Sequence, residues 1–279
     1  MKLFEEFDAQ YLGLENHSIY QHNKACDYMI KNSLKFFLLN TSEETSVNCL
    51  AQYELLKSID ASPVIFTSNL DFFINNNVLE KNLVETDDFS FINCFNEIIK
   101  YASSNYIFII NSNIILEFIN EIVNRFYVTH QNFSNKVAGW SINIKNTFKN
   151  KILDEFKIDD NIYFSPTLPL DFFCIKSEYL KKVGSLSYIN KNEDCQGLDY
   201  LFGWLVNKNG EYLISDLNVG LNLIENKNKK SKTNQEKLDR IIINQNTFFE
   251  INKNVYGLND DFLGFWKGNL LQFDDKFTQ

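Results

Sequence analysis

The chain has 279 residues, a net charge of −9 at pH 7 and an apolar fraction of 44%, with 26 Phe and 13 Tyr; this excludes a disordered chain and allows one large α/β domain or two smaller ones. The acidic balance argues against nucleic acid as a partner, because phosphate backbones are bound by clustered Lys and Arg. No apolar run approaches the ~20 residues of a membrane-spanning helix, and Lys2, Glu5, Glu6 and Asp8 interrupt any signal-peptide pattern at the start, so a cytoplasmic location is expected.

Five cysteines (Cys26, Cys49, Cys94, Cys174 and Cys195) are odd in number and lack metal spacing, which reads as reduced thiols in a core. Three histidines (His17, His22 and His130) give no basis for a His-based metal site.

In chain order, Leu34–Leu39 is a continuous apolar strand ending in Asn40-Thr41-Ser42. Thr41 or Ser42 can cap a helix over Glu43–Ile59, where Val47, Leu50, Leu55 and Ile59 fall near helical period. Pro63–Thr67 reads as the next strand, closed by the polar turn Ser68-Asn69, and a strand, helix and strand of this size make a parallel βαβ unit. Residues 70–88 carry no regular pattern. Phe91–Tyr101 is a helix with Ile92, Phe95, Ile98 and Ile99 on one face. The stretch Asn105-Tyr-Ile-Phe-Ile-Ile-Asn111-Ser-Asn113 then runs through aromatic and β-branched residues and stops at three polar ones. Buried parallel strands look like this where their carboxyl ends open into a crevice, and ligands of open α/β sheets sit there.

An amphipathic helix is expected over Ile115–Phe126. Val137–Ile144 and Ile162–Phe164 read as strands, Leu168–Ile175 is another apolar run, and Ser177–Val183 reads as a short helix closed by Gly184. Asn192–Gln196 is a polar loop, and Leu198–Val206 a helix ending at Asn209-Gly210. Strands Tyr212–Ile214 and Val219–Ile224 follow. Glu225–Asn234 is a basic loop with Lys227, Lys229, Lys230 and Lys232. The tail Leu238–Phe277 mixes helical pattern with aromatics such as Phe262, Phe265 and Trp266. The alternation of strands and helices predicts an α/β fold with a doubly wound sheet.

Three stretches resemble the GT-A-fold glycosyltransferases, in particular the inverting group that uses nucleotide-diphosphate sugars. Asn96-Glu-Ile-Ile-Lys-Tyr-Ala102 followed by the strand to Asn113 is similar to that group's helix and its Asp-x-Asp strand end. Leu170-Asp-Phe-Phe-Cys-Ile-Lys-Ser-Glu-Tyr-Leu-Lys-Lys-Val-Gly184 resembles its acceptor-side strand and helix. Gly197-Leu-Asp199-Tyr-Leu-Phe-Gly-Trp-Leu-Val-Asn-Lys-Asn-Gly210 has the spacing of the helix that opens with a catalytic carboxylate. The resemblance implies a GT-A-like, Rossmann-type sheet, mostly parallel and flanked by helices, over residues 1–224, with residues 225–279 as a basic loop and helical extension on the same domain. It also implies transfer of a sugar from a UDP-, GDP- or dTDP-linked donor to a hydroxyl of a glycan or lipid-linked saccharide, as in cell-surface polysaccharide biosynthesis.

In that family the two aspartates hold Mg2+ or Mn2+ against the diphosphate; here both positions, Asn111 and Asn113, are amides, and Asn222 stands where many members place a metal-ligating His. An amide oxygen brings no charge to a hard cation. Metal dependence is therefore expected to be weak or absent, and a catalytically inactive binding or scaffold subunit is the alternative reading. The resemblance makes Asp199 the base that takes the proton of the acceptor hydroxyl, with Glu193 and Asp194 as rivals. Thr41, Ser42, Ser68, Asn69, Asp71 and Asn96 lie where the donor's nucleotide is expected, although each also reads as a turn or cap residue. Trp140, Asp171, Tyr200 and Trp204 can shape an acceptor pocket, and aromatic core filling competes for each ring. Positive charge for the leaving diphosphate is expected from Lys227, Lys229, Lys230 and Lys232 acting as a lid. The aromatic tail offers a contact to the inner membrane face or a partner protein.

Overall fold

The computed structural model describes residues 33–103, 105–132, 136–145, 157–159, 161–165, 168–183 and 211–224, with Ile30, Val206 and Asn209. Asp199, Tyr200, Trp204, the four lysines 227–232 and the proposed extension 225–279 lie outside the described residues, as do Glu193 and Asp194.

Among the described residues the chain builds one ten-stranded sheet. Its strands are β1 Leu34–Leu39, β2 Val64–Thr67, β3 Leu83–Glu85, β4 Tyr106–Asn111, β5 Ile114–Ile115, β6 Val137–Lys145, β7 Lys157–Asp159, β8 Ile162–Phe164, β9 Phe172–Lys176 and β10 Tyr212–Leu223. They are ordered β3-β2-β1-β4-β9-β6-β10-β8-β7, with β5 paired to β10. β9, β8 and β5 run against the other strands, so the sheet is mixed but mostly parallel. The helices are α1 Ser46–Lys57, α2 Leu70–Asn75, α3 Phe91–Tyr101, α4 Ile119–Asn132 and α5 Ser177–Val183. This is a Rossmann-type α/β architecture with helices on both faces of the sheet, as the sequence predicts.

Sandwiching explains why β1 from Phe36 onward and β4 up to Ile110 read as unbroken apolar runs. Phe36, Leu38, Phe108 and Ile110 face one layer, with Cys49, Tyr53 and Leu56 of α1 and Ile122, Val123 and Phe126 of α4. Phe37, Leu39, Ile107 and Ile109 face the other, with Ile92, Phe95 and Ile98 of α3 and Tyr179 and Leu180 of α5. Trp140 belongs to the first layer; it is fully buried and meets Phe108 and Phe126 edge-on at 6.3 and 5.7 Å between ring centres. That place is core packing, and the ring presents no face to an acceptor.

Four details depart from the predicted elements. β3 and α2 fall inside the stretch that carries no sequence pattern. α4 begins at Ile119 because Ile114 and Ile115 first pair with Leu223 and Asn222 of β10 and Phe118 then adopts a positive φ of 53°. β7, three residues long, was not foreseen. The two strands expected at 212–214 and 219–224 are one strand with a bulge: Asp216 lies opposite Ile142 and Gly220 opposite Asn143, leaving residues 217–219 extra. The turn between β7 and β8 holds that bulge, with the Leu217 amide donating to the Asn161 carbonyl (2.7 Å) and Asn161 Nδ2 to Asn218 Oδ1 (3.2 Å).

Among the described residues no helix is long and apolar enough to cross a membrane.

Candidate functional site at the switch point

From β1 the chain continues outward to β2 and β3 on one side, then returns to place β4 on the other. That reversal is a topological switch point, where the loops leaving the carboxyl ends of adjacent parallel strands splay apart and open a crevice. Parallel register sets Leu39, Phe66 and Asn111 in one row across the strand ends, so Asn40, Thr67 and Ser112 form the next.

Polar side chains knit this edge together. Fully buried Asn40 donates through Nδ2 to Ser46 Oγ (2.9 Å) and Thr67 Oγ1 (3.0 Å). Thr41 donates from Oγ1 to Asn111 Oδ1 (2.8 Å), and its amide to Ser112 Oγ (3.2 Å). The Thr45 and Ser112 hydroxyls lie 2.6 Å apart. Ser42 caps the short 3-10 turn Glu43–Thr45 by accepting from the Thr45 amide; Thr41, the other candidate cap, turns to β4 instead.

The buried face of α1 supplies a clamp that the sequence reading missed. Asn48 Nδ2 donates to the carbonyls of Ser112 (2.7 Å) and Ile114 (2.6 Å), and Gln52 Nε2 to those of Asn111 (3.1 Å) and Ile114 (2.7 Å). Two amides at i and i+4 therefore satisfy carbonyls of a turn that leaves the sheet. The available signal was Gln52 among Cys49, Tyr53 and Leu56 on a face that helical period buries.

Asp171 directly precedes β9, whose antiparallel pairing with β4 brings it to the strand end. Its carbonyl accepts from the Asn111 amide (2.8 Å), and its Oδ1 accepts from Asn113 Nδ2 (2.9 Å). β10 arrives from the far side: the Ile224 amide donates to the Asn113 carbonyl (2.8 Å), and Asn222 sits opposite Ile115. The sequence candidates Thr41, Asn111, Asn113, Asp171 and Asn222 thus share one neighbourhood. Asn69 caps α2 by accepting from the Phe72 amide (3.3 Å), and Asp71 is exposed in the first turn of that helix. Asn96 is half-buried on α3.

The donor set decides what a cation would meet. Asn111 Oδ1 already accepts from Thr41 Oγ1 and from the Asn113 amide (3.2 Å), so both of its lone pairs are engaged. Asn113 Oδ1 is buried and has no hydrogen-bond partner among the described residues. No three His, Cys, Asp or Glu gather as a metal set among those residues. Asn111 therefore does not fit a Mg2+ or Mn2+ ligand, and Asn113 turns its Nδ2 rather than its Oδ1 to the Asp171 carboxylate.

The strand order and this crevice define a Rossmann-type α/β protein with a carboxyl-edge site. No family model matches the chain, and no curated protein does. Among solved structures, it is similar to a mannosyltransferase from Pyrobaculum calidifontis in complex with GDP-Man and Mn2+, at 12% identity over 75% of this chain and 64% of that one, with a TM-score of 0.48. It is also similar to GalNAc-T7 with UDP, GalNAc and Mn2+, at 10% identity over 76% of this chain and 48% of that one, with a TM-score of 0.46. A 4-diphosphocytidyl-2C-methyl-D-erythritol synthase from Anaerococcus prevotii aligns at 14% identity over 78% of this chain and 98% of that one, with a TM-score of 0.37. The chain spans less than two thirds of the length of the first two.

Proposed function

We propose that the chain is a glycosyltransferase that moves a sugar from a nucleotide-diphosphate donor to a hydroxyl of a glycan or lipid-linked acceptor, with weak metal dependence. The observation that carries this reading is the meeting of Thr41, Asn111, Asn113 and Asp171 at the switch point between β1 and β4. Nucleotides are held at such a place by polar side chains and backbone at the strand ends. In the proposed reaction Asp199 takes the proton of the acceptor hydroxyl, the oxygen bonds to the anomeric carbon from the opposite face, and the nucleoside diphosphate leaves. The lysine segment follows Ile224 in sequence, and the Ile224 amide binds the Asn113 carbonyl. That adjacency in sequence supports a lid of Lys227, Lys229, Lys230 and Lys232 over the diphosphate. We place the reaction in the cytoplasm, at the inner membrane face, with the C-terminal segment as the contact.

The internal commitment of Asn111 Oδ1 favours a second reading, an inactive GT-A-like binding subunit. Calorimetric titration of the full chain with UDP-, GDP- and dTDP-sugars, with and without Mn2+, separates the two. Donor binding together with transfer or hydrolysis that Asp199→Asn abolishes supports the enzyme. Binding of no nucleotide sugar overturns it.

A further inference from the structure

We propose that Phe118, at the head of α4, is an acceptor-binding residue whose exposed ring stacks on a sugar unit of the acceptor. The saccharide rests on the glycosyltransferase reading above; the need for an external partner comes from the backbone and packing of Phe118 itself.

Phe118 has a φ of 53°, a left-handed conformation that Gly, Asn and Asp tolerate and that is strained for a bulky side chain. A core side chain can offset such strain by its burial, but Phe118 is 65% exposed. The fold nevertheless fixes it from both sides. Ile114 and Ile115 pair with Leu223 and Asn222 of β10, and Asn48 and Gln52 hold the Ile114 carbonyl. Leu116 and Ile119 are buried on either side, and the Phe118 carbonyl accepts from the Ile122 amide at 3.0 Å as α4 opens. A strained conformation held this firmly, for a ring that gains little packing within the fold, marks a side chain kept for a ligand.

Position and flanking charge select that ligand. The strap that ends at Phe118 starts from Asn113 in the candidate crevice, and five residues of chain keep the two within ~18 Å. Glu117, Asn120 and Glu121, its neighbours in sequence, are all exposed and offer oxygen acceptors beside an apolar face. A sugar presents the matching surfaces: C–H faces that lie on an aromatic ring, and hydroxyls that donate to carboxylate and amide oxygens. An anionic lipid surface does not match, because Glu117 and Glu121 repel its headgroups, and an anionic glycan is disfavoured for the same reason. The occupant is therefore an uncharged or amino-bearing saccharide. With Trp140 committed to the core, Phe118 supplies the aromatic face that Trp140 cannot.

The test uses the full chain and binding alone. Wild type, Phe118→Asn and Phe118→Tyr are applied to a printed array of neutral, amino-sugar and anionic oligosaccharides and to anionic lipid vesicles, with thermal melts and UDP and GDP calorimetry on the same samples. Wild type is expected to bind neutral or amino-sugar oligosaccharides. Phe118→Asn, which relieves the backbone strain, raises the melting temperature yet weakens glycan binding by about tenfold or more. Phe118→Tyr keeps the ring and holds glycan affinity within about twofold, and both variants bind UDP and GDP as wild type does. The proposal is overturned by wild type that binds no oligosaccharide or only anionic ones, by capture on vesicles instead, by undiminished glycan binding of Phe118→Asn, or by a lowered melting temperature of that variant. In each of those cases UDP or GDP binding leaves the nucleotide-sugar reading standing. Glycan binding that Phe118→Asn removes, in a protein that binds neither nucleotide, overturns the enzyme reading and retains Phe118 as a saccharide contact.

Discussion

Arg125 and Asp216 are 91 residues apart in the chain and meet as a bidentate pair: Nε reaches Oδ2 at 2.6 Å and Nη2 reaches Oδ1 at 2.9 Å. Asp216 is fully buried beside the β10 bulge, and the Asn218 amide and Nδ2 add two donors at 3.0 Å. The pair ties α4 to the strand that ends on Asn113. Removing one partner strands the other, so Arg125→Ala is expected to destabilise the fold by about 3 kcal/mol. The double variant Arg125→Met with Asp216→Leu should cost less than the single change. Urea unfolding of both, compared as a mutant cycle, checks this.

The α1 clamp makes a second prediction. Gln52→Leu deletes one donor from the Asn111 and Ile114 carbonyls, with an expected loss of about 1–3 kcal/mol. Because the turn carries the candidate site, nucleoside diphosphate affinity should fall as well. Thr41→Val removes only the bond to Asn111 Oδ1 and should lower stability by about 1 kcal/mol. Unfolding midpoints and calorimetry on the same samples separate the two effects.

His130 sits on α4 against Tyr106, with ring centres 5.2 Å apart and planes perpendicular. Burial, and secondly the nearby Lys176 ammonium, lower its pKa from 6.5 to about 4. Between those values the unfolded chain binds a proton that the folded chain refuses, so stability falls as pH drops from ~6.5 towards ~4. The loss from this group is on the order of 3 kcal/mol. His130→Phe should flatten the stability profile over that window, as read by urea midpoints at successive pH values.

Burial pushes the Cys94 thiol up to about 12 and also raises those of Cys49 and Cys174 well above the usual thiol range. All three are free and buried, and a protonated, enclosed thiol is a poor nucleophile. Iodoacetamide labelling at these three positions, mapped by peptide mass, should be negligible in native protein and complete in denaturant.

Replacing Lys227, Lys229, Lys230 and Lys232 together by Gln should weaken metal-free UDP or GDP binding by about tenfold at low salt and remove much of its salt dependence. Unchanged affinity would sink the lid.

The sequence made β1, β4 and α3 legible for different reasons. Sandwiching between helices leaves β1 and β4 apolar on both faces, and a buried stripe gives α3 its period. β3 is invisible because Leu83, Val84 and Glu85 are too few to show a period, and only pairing with β2 makes them a strand. The strand end at Asn111–Asn113 could be located, but not its surroundings. Asp171 reaches Asn113 through the antiparallel insertion of β9 beside β4, a non-local choice that no spacing encodes. Gln52 was detectable on the face that helical period buries, whereas Asn48 resembles an ordinary solvent-facing residue until its carbonyl partners are known. Trp140 fitted an acceptor-pocket pattern from composition alone, and its packing on Phe108 and Phe126 gives it to the core.

The three extra residues at 217–219 of β10 set the phase of everything beyond them. Side chains alternate along a strand, so deleting one of these residues would slip Gly220–Leu223 by one position and send Asn222 to the opposite face. Deleting two would restore the facing but shorten the reach to β5, detaching Ile224 from Asn113. The bulge is thus a spacer whose length is matched to the strand end it serves, and length variants at 217–219 are a way to move one wall of the crevice without touching a residue that lines it.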